Sequence, residues 1–309
     1  MVKITKSRKG GPARSSGPTA DKPQHLLRVW EAVAQRVRQA DRIVLFTDFD
    51  GTLTPIRRMP GAVCLSAAVR ELLAKMARNG ITVGVVSGRR VRDVRARVGL
   101  SGIWYIGVHG YEIYYPDNRT ELFAHADHRR QIQLATRQLI QLRKVPGLSL
   151  DDKEATVAVH YRRASSQNRH LAWTTIQSVL AKYPNLHLLS GKKVWELLPD
   201  SRTSKWTAIQ FVLRSERSRY RGHSLVFYLG DDTTDERVFE KMRGITVAVG
   251  KHQRTAARFF LYSPAEVRRF LQKLGDFATA KSLGRSATGG NGEGRLSRMK
   301  VTLDSARMK

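Results

Sequence analysis

The chain of 309 residues contains a single cysteine, Cys64. One thiol makes no internal disulfide and supplies too few ligands for a cysteine zinc site, so both kinds of scaffold are excluded. No stretch reaches the roughly 18 apolar residues of a membrane-spanning helix, and no apolar secretory segment follows the N-terminus. We therefore expect a cytoplasmic protein without membrane contact, long enough to build one large or two modest hydrophobic cores.

Acidic residues are also scarce, with 26 Asp and Glu against 55 Lys and Arg, which gives a formal net charge of +29. Residues 1–24 carry +5 and residues 276–309 carry +4, so about +20 belongs to residues 25–275. A basic surface concentrates anions of any kind and does not separate nucleic acid from a phosphorylated metabolite. Nucleic-acid contact is a secondary expectation, because no interleaved aromatic residues or binding module accompany the charge.

The two ends of the chain have the composition of disordered tails. Residues 1–24 are basic and rich in small residues, a composition that also suits an organelle transit peptide, and residues 276–309 are rich in Gly, Ser and Arg. A membrane-surface or scaffold role for these tails is an alternative function that the composition leaves open.

Between the tails, short apolar runs predict strands that are buried on both faces, as in a parallel sheet. They cover residues 42–48, 81–88, 103–108, 224–231 and 245–250. A helical pattern from Leu65 to Met76, stopped by Gly80, lies between the first two runs. We predict an α/β fold, a Rossmann-like doubly wound parallel sheet built from residues 25–111 and 198–275.

Residues 112–197 have a different pattern. The segments YEIYY and ATVAVHY alternate apolar and polar positions, and helical patterns cover residues 127–143 and 166–182. This combination is typical of a half-exposed sheet with helices on one side. Because the buried-strand pattern resumes at residue 224, we predict a smaller α/β domain inserted into the first one.

The first buried strand runs into the motif LFTDFDGTLTPI, residues 45–56. Asp48 and Asp50 lie two residues apart, on one side of the strand end where open α/β sheets bind ligands. Two adjacent carboxylates repel unless a cation lies between them or one keeps its proton. Gly51 lets the backbone turn there; the alternative interpretation is a solvated turn.

A second strand runs into the motif YLGDDTTDE, residues 228–236. Acidic residues in the first turn of a helix are ordinary caps, which explains Asp235 and Glu236 but not Asp231 and Asp232. A hard cation with oxygen ligands, Mg²⁺ above all, explains both acidic clusters together.

Two further motifs are weak when each is taken alone. VVSGR, residues 85–89, follows a strand with Ser87 and Gly88, whose hydroxyl and backbone N–H groups suit a phosphate oxygen. Lys205 in DSRTSKWTAIQ lies at the start of a predicted helix. Small residues after a strand are common, and a lone lysine in so basic a chain is usually a solvated charge.

In their order along the chain, the four motifs resemble the motif set of the haloacid dehalogenase superfamily. Over residues 40–262 the chain more narrowly resembles the trehalose-phosphatase family, in DFDGTLTPI, VVSGRRVRDVRARVGLSGIWYIGVHGYEI, VAVHYRRA, GKKVWELLP and YLGDDTTDE. The resemblance implies a Mg²⁺-dependent phosphomonoesterase that hydrolyses trehalose 6-phosphate, with residues 112–197 as a cap over the active site. The alternatives are another sugar phosphate, such as sucrose phosphate or mannosyl-phosphoglycerate, and a nucleic-acid-associated protein that has kept the fold.

The resemblance also implies residue roles. Asp48 is the implied nucleophile, Asp50 protonates the departing sugar oxygen and then activates water, and Ser87 and Lys205 hold phosphoryl oxygens. The implied metal site comprises Asp48, Asp50 (through its carbonyl oxygen), Asp231 and Asp235. The implied substrate-binding residues are Gly51, Thr52, Ser87, Gly88, Arg89, His109, His160, Arg162, Lys192, Glu196 and Asp232.

Several positions depart from the family pattern or allow a simpler interpretation. Val108 lies where the family more often has Asn or Ser, and Trp206 lies where Gly is usual, so its indole is predicted to narrow the pocket or to stack on a sugar ring. Leu197, Leu198 and Pro199 replace the usual Arg-Pro after the cap glutamate. Simpler interpretations are that His160 and Arg162 face water, that His109 is a core histidine, and that Asp152 and Lys153 form a turn ion pair.

Overall fold

The structure, a computed structural model, describes residues 22–56, 63–123, 126–191, 193–199, 202–220, 222–251 and 254–288. The strands within these residues are β1 (Gln24–His25), β2 (Arg42–Asp48), β3 (Thr82–Val86), β4 (Trp104–Gly107), β5 (Glu112–Tyr114), β6 (Thr120–Leu122), β7 (Ser149–Asp152), β8 (Val157–His160), β9 (His187–Gly191), β10 (Val194–Leu198), β11 (Ser224–Gly230), β12 (Ile245–Val249) and β13 (Phe259–Leu261). The α-helices are α1 (Trp30–Gln39), α2 (Ala67–Arg78), α3 (Val91–Val98), α4 (Ala126–Leu139), α5 (Ser166–Lys182), α6 (Lys205–Arg219), α7 (Thr233–Lys241) and α8 (Pro264–Thr288).

The larger sheet has the strand order β1-β13-β12-β11-β2-β3-β4-β5-β6 within the described residues. In this spatial order, the first seven strands, from β1 at one edge through β4, are parallel to their neighbours. Alternate residues of β2 face opposite sides: Ile43 and Leu45 pack with helices α1, α2, α3 and α8, whereas Val44 and Phe46 pack with α6 and α7. The predicted doubly wound parallel sheet is therefore confirmed, and each apolar strand run is buried on both faces.

The boundary of the inserted domain differs from the prediction. Residues 112–122 were expected to belong to the insertion, but β5 pairs antiparallel with β4, and β6 pairs antiparallel with β5, at the edge of the larger sheet. A tight turn at Val108–Gly110 reverses the chain so that Gly107 pairs with Glu112. Alternating hydrophobicity indicates an antiparallel strand without indicating which sheet it joins, and this is why the sequence misplaced it.

The chain ends also differ from the predicted tails. Residues 276–288, expected to be disordered, continue α8, which is anchored earlier in its length by the buried Phe270, Leu271 and Leu274. Gln24, expected in the N-terminal tail, pairs with Phe259 in the larger sheet. The rest of both predicted tails lies outside the described residues, apart from residues 22–23. None of the helices in the described ranges is both long and apolar enough to cross a membrane.

The inserted domain, called the cap below, consists of α4, α5 and a four-stranded antiparallel sheet in the order β7-β8-β10-β9. Helices α4 and α5 cover one face of that sheet, where Val157, Val159, Trp195 and Leu197 form a core with Ile176 and its neighbours. Glu196 alternates with Trp195 and Leu197 along β10, so its side chain lies on the opposite face of the sheet, toward the main domain.

Candidate active site

Acidic residues from two neighbouring strands meet at one edge of the larger sheet. Asp48 is the last residue of β2 and Asp231 follows β11, and these two parallel strands are directly paired. Asp48 is 5% exposed, Asp231 is 9% exposed and Asp235, in the first turn of α7, is fully buried. The backbone of Gly51 passes so close that a Cβ there would lie 2.2 Å from Asp231 Oδ2, and its φ of +89° also favours glycine. The structure thus brings together the predicted Asp48, Gly51, Asp231 and Asp235.

Lys205 lies between two of these carboxylates. Its Nζ atom donates hydrogen bonds to Asp48 Oδ1 and to Asp235 Oδ1, both at 2.7 Å. Ser204 and Thr207 form a capping box that starts α6 at this lysine and points it at the site. Burial by itself lowers the pKa of Lys205, but the charges of Asp235 and Asp48 outweigh it and hold the pKa well above its usual range. Lys205 is only 3% exposed, which excludes the interpretation as a solvated surface charge.

Tyr228 is a residue of the site that the sequence did not reveal. Its hydroxyl donates a hydrogen bond of 2.5 Å to Asp235 Oδ1 from within strand β11. Burial, followed by the charge of Asp235, raises its pKa well above the usual value, so the hydroxyl stays protonated. A tyrosine in a buried apolar run carries no sequence signal that separates it from a core aromatic.

The Asp48 carboxyl has a pKa raised well above its usual range. Burial is the main cause, and the charges of Asp235 and Asp231 add to it while Lys205 opposes it. An ion with oxygen preference between Asp48 and Asp231 would relieve this crowding, and Mg²⁺ needs only one or two carboxylates because it keeps waters and binds phosphate oxygens. No group of three or more His, Cys, Asp or Glu side chains in the described part of the chain has the geometry of a metal centre. The donor set therefore fits a cation that the substrate helps to coordinate.

Asp235, predicted as part of the metal site, is bonded to protein groups, and a metal role for it stays a prediction. Its Oδ1 accepts from Lys205 and Tyr228, and its Oδ2 accepts from the backbone N–H of Asp232 at 2.9 Å. Both oxygens therefore already have protein donors, and Asp235 fixes Lys205. Asp232, predicted to bind substrate, caps α7 by accepting from the backbone N–H of Thr233 at 2.7 Å.

Asp50 and Arg89 form a two-pronged ion pair. Arg89 donates from Nε to Asp50 Oδ2 at 2.6 Å and from Nη2 to Asp50 Oδ1 at 2.8 Å, and its Nη1 reaches Asp93 Oδ2 at 3.0 Å. Arg89 orients Asp50 beside the sheet edge, and its predicted contact with substrate stays a prediction. Asp93 was missed, although Arg89 and Asp93 have the i,i+4 spacing of a helical ion pair.

The Ser87–Gly88 turn and Thr52 surround the same edge. Ser87 is 1% exposed, and a Cβ at Gly88 would lie 2.6 Å from His109 Nε2, so a side chain at Gly88 would displace the His109 imidazole. The buried Thr52 Oγ1 and His109 Nδ1 have no hydrogen-bond partner among the described residues. Buried polar atoms without partners are rare and indicate a place for a ligand or water.

The cap contributes a buried polar network. Glu196 Oε1 accepts from Thr156 Oγ1 at 2.6 Å and from Lys153 Nζ at 2.9 Å, and Glu196 Oε2 lies 3.2 Å from His109 Nε2 of the main domain. Lys153 Nζ also donates to the Gly88 carbonyl at 2.8 Å. The structure therefore brings together the predicted Glu196, His109 and Gly88, and Lys153 joins them instead of forming a turn ion pair with Asp152.

Three other predicted cap residues have different surroundings. His160 is half-buried at the end of β8, and burial together with the charge of Lys153 lowers its pKa. Arg162 is exposed just beyond it. Lys192 lies outside the described residues. Trp206 is partly buried against the hydrophobic cluster of α6 and α7, and the expectation that its indole narrows the pocket or stacks on a sugar stays a prediction.

The acidity of Glu196 makes the stability of the cap dependent on pH. Burial would raise its pKa, but the charge of Lys153 and the nearby His109 hold it well below the usual 4.5. A lowered carboxylate pKa contributes stability above about pH 4.5 that is lost as the pH falls. We expect Glu196→Gln to lose about 3 kcal/mol of unfolding free energy at neutral pH, because Lys153 stays buried without its partner. Urea unfolding should also show a shallower loss from about pH 5 to about pH 3 than in the parent chain; an equal slope would contradict the assignment.

A doubly wound sheet with an inserted cap and buried acidic strand ends defines a hydrolase of the haloacid dehalogenase fold, and the chain is a phosphatase of that class. A family model described as trehalose-phosphatase matches residues 46–265. The chain belongs to the trehalose-phosphatase family, as its motifs predicted.

Individual relatives agree with this assignment. A probable trehalose-phosphate phosphatase D of Arabidopsis thaliana is 32% identical over 274 residues, which cover 84% of this chain and 74% of the relative. The trehalose 6-phosphate phosphatase RA3 of Zea mays is 34% identical over 254 residues, or 75% of this chain and 70% of the relative. The C-terminal domain of the trehalose-6-phosphate phosphatase of C. albicans superposes with a TM-score of 0.70 at 19% identity, covering 82% of this chain and 98% of that domain, and so shares the fold.

Proposed function

We propose that this chain hydrolyses trehalose 6-phosphate to trehalose and phosphate, with Asp48 as the nucleophile. The observation that carries the proposal is the burial of Asp48 at the sheet edge, with Lys205 on one oxygen and Asp231 close by. A carboxylate needs such neighbours to approach an anionic phosphate ester, since a fixed cation offsets the repulsion between two anions.

The first step transfers the phosphoryl group to the protein. Asp48 attacks phosphorus through one carboxylate oxygen, and the bond from phosphorus to the sugar oxygen breaks. Asp50 donates its proton to that sugar oxygen, because a sugar alkoxide is a poor leaving group. In the structure both Asp50 oxygens accept from Arg89, so Asp50 first leaves this ion pair and takes up a proton from water before it reaches the sugar oxygen. Trehalose then leaves as a neutral molecule.

The second step releases phosphate. Asp50, now ionised, takes a proton from a water molecule, and the water oxygen forms a bond to phosphorus as the bond to Asp48 breaks. Inorganic phosphate leaves and Asp48 is restored. Lys205 stays beside the phosphoryl group in both steps, and the hydroxyls of Ser87 and Thr52 hold its oxygens, which gives the buried Thr52 Oγ1 a partner.

Asp48, Asp231 and the carbonyl oxygen of Asp50 would hold Mg²⁺. When bound, the cation neutralises part of the charge on the phosphate so that an anionic nucleophile can approach it. We expect a chelator such as EDTA to remove activity and added Mg²⁺ to restore it. Full activity in excess chelator would contradict a metal requirement and leave Lys205 as the main source of positive charge.

The cap would select the disaccharide. Glu196, Lys153 and His109 place a carboxylate, an ammonium group and an imidazole between the cap and the phosphate side of the site, and sugar hydroxyls bond to such groups as both donors and acceptors. His160, Arg162 and Lys192 belong to the same proposal as residues of the cap near the sugar.

A substrate panel tests this function. Phosphate release is compared for trehalose 6-phosphate, sucrose 6-phosphate, glucose 6-phosphate and p-nitrophenyl phosphate under the same conditions. We expect the highest kcat/KM for trehalose 6-phosphate. A clear preference for glucose 6-phosphate would contradict a disaccharide substrate, and a preference for sucrose 6-phosphate would keep the chemistry and change the sugar.

A further inference from the structure

The turn between β4 and β5 contains two consecutive residues in the left-handed backbone region. Val108 has φ of 47° and His109 has φ of 55°. This conformation is especially unfavourable for a β-branched residue such as valine, and it persists only where surrounding contacts impose it. The contacts around Val108 therefore indicate which elements the strained turn holds in place.

The backbone of this turn contacts both elements that carry the phosphate-side residues. The N–H of Val108 donates to the Arg89 carbonyl at 2.8 Å, and the N–H of His109 donates to the Ser87 carbonyl at 3.2 Å. On the other side, a Cβ at Gly110 would lie 2.5 Å from the carbonyl oxygen of Ser204, which caps the helix of Lys205. A shift of this turn would move the Ser87 turn and the start of α6 together.

The side chain of Val108 contacts the cap. It is fully buried in a small apolar cluster with Tyr111 of the main domain and Ala155 of the cap, together with Leu198 at the end of β10. Leu189 of β9 packs against the same cluster. This apolar contact lies between the two domains, next to the polar contacts of His109 with Glu196 and of Lys153 with the Gly88 carbonyl.

We propose that Val108 is a positioning residue whose side chain fixes the cap on the main domain, so that Glu196 and Lys153 stay in register with the Ser87–Gly88 turn. An apolar cluster excludes water but sets no precise register, whereas hydrogen bonds set the register but hold poorly in water. The strained turn supplies both the apolar contact and the hydrogen bond, because Val108 packs against the cap while His109, the next residue, bonds to Glu196. This inference rests on the function proposed above and adds how the cap is held over the site.

The structural test compares Val108→Ala with Val37→Ala. Both changes remove the same methyl groups from a fully buried valine, but Val37 lies on α1 in the core of the main domain. Spin labels on Cys64, which is exposed before α2, and on Gln177→Cys, exposed on α5, report the distance between the main domain and the cap. We expect one narrow distance band in the parent chain and in Val37→Ala, and a second, longer band in Val108→Ala. The same distribution in both variants would overturn the proposal.

A kinetic test separates positioning from general destabilisation. Val108→Ala keeps the backbone hydrogen bonds of the turn to the Ser87 and Arg89 carbonyls and loses only the side-chain contact with the cap. It is therefore expected to raise KM for trehalose 6-phosphate about tenfold and to leave kcat/KM for p-nitrophenyl phosphate within about twofold, since only the sugar phosphate uses the cap. Equal losses on the two substrates would make Val108 a structural residue and overturn the proposal. The distance measurement needs no substrate, so a parent chain inactive on trehalose 6-phosphate would contradict the proposed function while the distance bands still decide the role of Val108.

Discussion

Replacing Asp48 with asparagine is expected to lower phosphate release from trehalose 6-phosphate by more than about a thousandfold. An amide oxygen is a far weaker nucleophile than a carboxylate, and Asp235, the other carboxylate that Lys205 contacts, has both of its oxygens bonded to protein donors. Asparagine has nearly the same volume, and it removes one of the crowded charges at the sheet edge. The fold should therefore survive, with a circular dichroism spectrum and a melting temperature close to those of the parent chain.

The matched control is Asp117→Asn. Asp117 is an exposed carboxylate in the turn between β5 and β6, where it forms an ion pair with Arg119. It should keep parental activity. Substantial turnover by a folded Asp48→Asn variant would show that phosphoryl transfer does not pass through this carboxylate.

Replacing Lys205 with alanine is expected to damage both activity and stability. The change leaves Asp48 and Asp235 buried and facing each other without the cation between them. Breaking a buried ion pair in this way costs about 3–5 kcal/mol. Turnover should fall by at least about a hundredfold, because a fixed positive charge beside the phosphoryl group is lost. Urea unfolding and phosphate-release assays measure the two effects.

Two further variants test the cause of that destabilisation. Lys75→Ala removes a lysine whose ion pair with Asp276 is exposed, and it should change the unfolding free energy by no more than about 0.5 kcal/mol. In Lys205→Ala combined with Asp48→Asn, one of the two stranded carboxylates is gone. Part of the lost stability should therefore return, and a purely additive loss would show that the repulsion between these carboxylates is not the cause.

The main sheet could be predicted from the sequence because its central strands are unbroken apolar runs that stay buried whatever surrounds them. Strand β5 was assigned to the wrong domain, since Glu112–Tyr114 pairs with β4 only after a turn that two left-handed residues make possible. Neither valine nor histidine predicts a left-handed backbone conformation from sequence. Residues 276–288 were predicted to belong to a disordered tail because of their composition, whereas they continue helix α8, which packs in the core through Phe270.

At the site, the sequence predicted which residues lie together at the sheet edge, but it did not predict the hydrogen bonds between them. Asp48 and Asp231 follow buried strands, and parallel strands bring their ends to one edge wherever they occur. The bonds of Arg89 to Asp50, and of Tyr228 to Asp235, depend on side-chain directions set by tertiary packing, which no motif encodes. The same holds for Lys153, whose link from Glu196 to the Gly88 carbonyl joins two domains.

During turnover, Asp48 is expected to accept the phosphoryl group of trehalose 6-phosphate. The most direct measurement is a borohydride quench of the parent chain during turnover with Mg²⁺, because borohydride reduces an aspartyl-phosphate to homoserine and leaves a free carboxylate intact. Mass spectrometry of the tryptic peptide spanning residues 43–57 then reports the state of Asp48. We expect homoserine at position 48 when substrate is present and aspartate when it is absent. Unmodified Asp48 in a chain that is releasing phosphate, quenched under conditions that reduce an acyl phosphate standard, would contradict it.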